Sequence, residues 1–203
     1  VTSSSLSVER RRWYRDLYRS AAAPGAELHV VPANLASFAD VDALLDWLAD
    51  PEIPQRGRDD LRLPALLPTL VLPFAAVSTV GSAADAGPSS EVALRVQLLG
   101  VERLVAGLGE RLGHRHRRTP ATVVLPLSPN HGAFGGDGPY SDTKAALEVL
   151  AARRRSEAAD WGAHIRLVRA RIGWVRGTGL MGRNDGIAAA VEERLGVRTF
   201  AAD

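Results

Sequence analysis

The chain has 203 residues, of which 46% are hydrophobic and 24% charged. That fits one globular domain with a sizeable core over 1–203. It contains no cysteine, which excludes disulfides, cysteine nucleophiles and thiolate metal sites. Its 25 basic side chains nearly balance 23 acidic ones. All the basic residues except Lys144 are arginines, spread along the chain and alternating with acids, as solvated helix faces require. Neither a nucleic-acid surface nor a membrane span is expected. The N-terminus lacks the apolar core of a signal peptide, so the expected location is cytoplasmic.

In chain order, residues 7–20 predict a helix with Trp13, Leu17 and Tyr14 on its apolar side. Residues 27–32 read as a strand and 34–40 as a turn. A helix over 40–48 carries Val41, Leu44, Leu45 and Leu48 at helical spacing. A Pro-bounded loop over 51–64 follows. Next come a buried-strand candidate over 69–73 and a Gly/Ser/Ala-rich loop to Gly87. A long helix over 91–112 places Val92, Val96, Leu99, Arg103 and Ala106 along one face. The basic run 114–118 reads as a solvated helix end. A strand over 122–127, a helix over 141–159, a strand over 164–170 and a helix over 187–195 complete the alternation.

Short apolar strands alternating with helices predict an α/β fold, a parallel sheet covered by helices on both faces. Such sheets bind ligands at the carboxyl ends of their strands. The residues of interest are therefore Asn34, 74–76, Ser128 and 172–181. His131 has no second ligand at metal spacing, so no metal site is expected.

Tyr140 and Lys144 stand four apart at the start of a predicted helix and so share one face. A lysine cation near a phenol stabilises the phenolate and draws the tyrosine pKa down toward the working range. A tyrosine so tuned can protonate a carbonyl oxygen while hydride reaches the carbon. Ser128, twelve residues upstream at a strand end, can bond the same oxygen. A chain that uses arginine elsewhere keeps lysine here, a compact charge on a flexible stem.

This arrangement resembles the active site of short-chain dehydrogenases/reductases. Two longer strings, Ser128 to Lys144 and Ile172 to Asp185, are similar to the β-ketoacyl reductase domain of type I fatty acid synthases of fungi and actinobacteria. Weaker similarity extends over nearly the whole chain. The resemblance implies a doubly wound Rossmann-like sheet that uses NADPH to reduce a 3-oxoacyl group carried on acyl carrier protein, within the rest of a fatty acid synthase. It assigns proton donation to Tyr140, ribose bonding and phenolate stabilisation to Lys144, and ketone orientation to Ser128. It places Gly173, Trp174 and Thr178 along the nicotinamide, and Asn34 and Leu35 near the adenine. Ser3 and Ser4 fall where NADPH-using relatives meet the ribose 2′-phosphate, and Phe74 and Ala75 follow a strand on the cofactor side. Asn34 also reads as a plain turn residue and Thr178 as a cap.

Three departures stand against this pattern. No glycine-rich turn precedes residue 7, so the first βα unit is expected to be missing. The strand-like stretch 197–203 stops early, which puts the last strand in question. Gln97 stands about where many such reductases place an asparagine, and it reads as a polar helix residue rather than as support for a water chain. Two alternatives follow: a catalytically silent fragment of a synthase, or a stand-alone reductase of another ketone.

Overall fold

The computed structural model describes residues 1–55, 57, 59–115, 118–132, 135–178 and 185–201. The helices are α1 (Val8–Ala21), α2 (Phe38–Ala49), α3 (Pro88–Leu94), α4 (Gly100–His114), α5 (Tyr140–Ser156) and α6 (Ala188–Leu195). The strands are β1 (Thr2–Ser3), β2 (Val31–Pro32), β3 (Glu52–Ile53), β4 (Leu61–Arg62), β5 (Leu70–Val71), β6 (Ala121–Leu127), β7 (Ile165–Arg171), β8 (Val175–Arg176) and β9 (Phe200–Ala201).

Strands β5, β6 and β7 form a parallel sheet in that order, with Val71 opposite Val123 and Val123 opposite Leu167. β1 pairs with β2 in parallel, and β8 with β9. The alternation in β6 is decisive for packing. Ala121, Val123, Leu125 and Leu127 are fully buried, while Thr122 and Val124 lie on the less covered face. The buried face meets Leu147 and Leu150 of α5 and Leu104, Leu108 and Leu112 of α4 in one core. Each such side chain contributes about 1.5–3 kcal/mol on burial.

Helix α2 begins where Ser37 accepts the Asp40 N–H at 3.2 Å, an N-cap that satisfies one orphan donor. Its Val41, Leu44 and Leu45 enter the core, as their spacing predicts. Arg103 grips Asp42 with two bonds of 2.7 and 2.6 Å, which ties α4 to α2. Gly100 opens α4 because the backbone there runs against the chain after β2. A Cβ at Gly100 would lie 2.2 Å from the Leu35 carbonyl oxygen.

Several expectations need correction. The long helix starts at Pro88 and contains a π turn, Arg95–Leu99. Its buried stripe is Ala93, Val96, Gln97, Val101, Leu104, Val105 and Leu108. Val92 and Leu99 are exposed, and Arg103 is spent on Asp42. The π turn holds an extra residue, so a period counted straight through it lands on the wrong face. Helix α1 buries no side chain at all, and Trp13 and Leu17 are exposed. Only residues 31–32 of the stretch 27–32 pair as a strand. The loop 51–64 holds the antiparallel hairpin β3–β4. The stretch after 197 supplies β9, which pairs with β8.

Strand β5 is not buried as expected: Leu70 and Leu72 are each 55% exposed. They border a slot of about 480 Å³ lined by Val1 and Thr2 on one side, Leu70 to Phe74 on the other, and Leu44, Leu45, Leu104 and Leu108. The slot separates the β1–β2 pair from the three-stranded sheet.

Candidate active site

Lys144 lies one helical turn beyond Tyr140, and its Nζ is 5.3 Å from the centre of the Tyr140 ring. The lysine is only 5% exposed. Among the described residues it makes no ion pair. Burial alone lowers its pKa to about 8, because the low-dielectric surroundings penalise the cation. Tyr140 is the first residue of α5 and is half-buried. Its carbonyl accepts the Thr143 hydroxyl at 2.7 Å, which tightens the first turn.

Ser128 follows β6 and is buried. Its Oγ accepts the Asn130 N–H at 3.1 Å, and among the described residues its hydroxyl proton has no acceptor. The Asn130 side chain donates to Asp137 Oδ2 at 2.8 Å. The Asp137 carbonyl accepts both the Thr79 hydroxyl at 2.8 Å and the Tyr140 N–H at 3.3 Å. Gly81 and Asp137 form an isolated parallel bridge, with Gly81 N–H on Gly136 O and Gly138 N–H on Gly81 O. Gly136 and Gly138 both have positive φ, which L side chains resist. The glycine-rich run thus shapes the loop that enters α5. Neither Asn130 nor Asp137 stood out in the sequence; only a structure pairs a residue after β6 with one before α5.

The remaining sequence candidates are distributed as follows. Ser3 is buried, donates to Ser5 O at 2.7 Å and accepts from Arg10 Nη1 at 3.1 Å. Arg10 is thus a cation at the end of β1 that the sequence did not single out. Ser4 is exposed. Asn34 is exposed and acts as a turn residue: its Oδ1 accepts the Ala36 N–H and its own N–H goes to Asp40. Leu35 is a core residue. Phe74 and Ala75 are exposed after β5, open to the slot. Gly173 has Phe200 nearby at ordinary contact distance. Trp174 Nε1 donates to Asp185 Oδ1 at 3.0 Å, and Gly177 N–H to Asp185 Oδ2 at 3.0 Å. Thr178 caps the turn through Val175 O. Residues 179–184, and with them part of the second string, lie outside the described residues.

Gln97 is 1% exposed. Its Nε2 reaches Val77 O at 3.5 Å, and its Oε1 has no hydrogen-bond partner among the described residues. It is a buried group in the π turn beside α5, not an ordinary solvated helix residue. A separate groove of about 580 Å³ between α1 and the β3–β4 hairpin is lined by Tyr14, Tyr18 and His29. It contains none of Ser128, Tyr140 or Lys144, so its chemistry is not that of the catalytic candidates.

With this geometry in place, known proteins can be compared. The fatty acid synthase subunit alpha of Penicillium patulum is 42% identical over 203 residues, covering 98% of this chain and 10% of that protein. The subunit alpha of Candida albicans is 42% identical over 201 residues, again covering 98% of this chain and 10% of that protein. The chain is homologous to one segment of the fatty acid synthase α subunits. It spans about a tenth of the length of these curated relatives. No family model matches it.

The solved structures show the fold, a Rossmann-like α/β sheet shared with short-chain dehydrogenases. A 3-oxoacyl-[acyl-carrier protein] reductase from Brucella melitensis, in complex with NAD, gives a TM-score of 0.69 at 17% identity, covering 99% of this chain and 74% of that one. A gluconate 5-dehydrogenase from Burkholderia cenocepacia, in complex with NADP and tartrate, gives 0.66 at 18% identity, with 95% and 67% covered.

Proposed function

We propose that the segment reduces a 3-oxoacyl thioester on acyl carrier protein to the 3-hydroxyacyl thioester with NADPH, as the β-ketoacyl reductase of a larger fatty acid synthase. The observation that carries this reading is the buried Lys144 held against the Tyr140 ring, on a helix whose first residue is linked through Asp137 and Asn130 to the buried Ser128 after β6. The similarity to fatty acid synthase α subunits supports a place within such a synthase.

The residues present fit a nicotinamide cofactor. Lys144 is a buried amine without an acidic partner among the described residues, so its donors remain for a ribose hydroxyl. Arg10, held on Ser3, offers a cation to a 2′-phosphate. The exposed Phe74–Ala75 stretch and the Trp174 loop braced by Asp185 flank the same strand ends. NADPH, when bound, supplies hydride to the ketone carbon. Ser128 holds the ketone oxygen and Tyr140 donates its phenolic proton to that oxygen. The Lys144 cation stabilises the phenolate left behind.

The test is NADPH oxidation with a 3-oxoacyl thioester, comparing the parent with Tyr140→Phe. Loss of the proton donor should lower kcat by about 100-fold or more and leave NADPH affinity within about twofold, as the missing hydroxyl serves the transition state alone. Equal rates for parent and variant would remove the assignment.

A further inference from the structure

We infer that Asp137 and Asn130 form a clamp that sets the position of Ser128 relative to Tyr140, and that both are positioning residues for the reduction. The inference rests on the reductase reading. Its basis is a continuous set of bonds that begins at one catalytic candidate and ends at the other.

The Ser128 hydroxyl accepts the Asn130 N–H. The Asn130 amide donates to the Asp137 carboxylate. The Asp137 carbonyl accepts the N–H of Tyr140. Asp137 therefore holds the end of β6 with its side chain and the start of α5 with its backbone. The Thr79 hydroxyl and Gly81 anchor the same residue to the loop after β5. Helix and sheet geometry leave open the spacing between a strand end and a helix start joined by a loop; here backbone bonds to Gly81 hold the loop, and the Asn130–Asp137 side-chain bond ties it to the end of β6. A bond to an ionised acceptor is suited to this, being stronger and shorter than a neutral one. Small displacements at a reacting centre have large effects on rate. Neither side chain needs to touch substrate for this role.

The clamp divides the kinetic constants. Asp137 and Asn130 brace Ser128 and the first residue of α5, while the groups assigned to the cofactor lie after β1, β5 and β7, apart from Lys144, which sits one turn further along α5. Breaking the clamp should therefore lower kcat and leave the KM for NADPH unchanged. A merely structural role would alter stability or both constants together.

The experiment uses the full natural polypeptide that carries residues 1–203, with Tyr140→Phe as reference. Asp137→Ala and Asn130→Ala should each lower kcat by about tenfold, and the double variant should lose no more than either single one, because both remove the same bond. Exchanging the pair, Asn130→Asp with Asp137→Asn, rebuilds an amide-to-carboxylate bond in reverse and should restore kcat to within about threefold of the parent. The clamp is overturned if the singles stay within twofold of the parent, if their losses add, or if the exchanged pair is as poor as either single. It is equally overturned if the KM for NADPH rises while kcat holds. Should Tyr140→Phe itself keep full activity, the reductase reading fails instead, and the two failures are told apart in one set of assays.

Discussion

The Lys144 nitrogen sits 5.3 Å from the centre of the Tyr140 ring while its side chain is almost fully out of water. Burial brings its pKa to about 8. The lysine is therefore a cation below pH 8 and neutral above it. If the cation stabilises the phenolate, kcat for ketone reduction should fall as pH rises through about 8. A rate profile between pH 6 and 10, at saturating substrates, checks this; a flat profile across that window contradicts it.

The same burial bears on stability. Free lysine holds its proton up to about 10.4, so the unfolded chain binds a proton that the folded chain gives up earlier. Folding is opposed by this group below pH 8, and the opposition disappears as pH rises from 8 through 10. Replacing Lys144 with Met should therefore raise stability at pH 7 by about 1–3 kcal/mol while reduction is lost. Chemical denaturation at pH 7 and pH 10 measures it, and the gain should be smaller at the higher pH.

Gly100 tests the crossing of α4 and the chain after β2. A methyl group there meets the Leu35 carbonyl at 2.2 Å, and backbone cannot swing aside as a flexible side chain does. Gly100→Ala should cost about 2–4 kcal/mol. The denaturation midpoint reports this directly.

Asp185 braces the loop after β7 through Trp174 and Gly177. Asp185→Ala frees both donors. If that loop lines the nicotinamide, the KM for NADPH should rise by about tenfold, on the scale of a lost charged bond, with a smaller effect on kcat. Initial-rate kinetics separate the two constants.

The slot between β1 and β5 leaves Leu70, Leu72 and Phe74 exposed. Contiguous apolar surface and an open sheet edge favour association. The isolated 203-residue chain should form oligomers that grow with concentration, and Leu72→Glu should shift it toward monomer. Sedimentation velocity over a hundredfold concentration range decides the matter.

Much of this was legible in the residues. Tyr140 and Lys144 are four apart, and helical geometry alone brings them together. The apolar run 122–127 reads as a strand, and Val41, Leu44 and Leu45 mark the apolar side of α2. What stayed hidden has a physical cause in each case. The buried face of the long helix was misread because the turn at 95–99 breaks the period being counted. The pairing of Asn130 with Asp137 depends on loop geometry that no local pattern encodes. Arg10 was one arginine among many until the fold placed it on Ser3. Strand β5 looked buried because its residues are apolar, yet apolar residues also line an open slot.

The π turn separates one long rod into two segments of independent phase. In a continuous α-helix, the facing of residue 93 dictates that of residue 104, each step adding about 100°. Here the wider turn absorbs the mismatch. Residues 88–94 bury Ala93, while residues 100–114 pack against α2, the core face of β6, and Trp161 and His164. Excising a single residue from 95–99 would couple them again, and one half would have to turn its apolar side to water. The wide turn works as a mechanical joint, letting residues 88–94 change sequence without disturbing the core's registration.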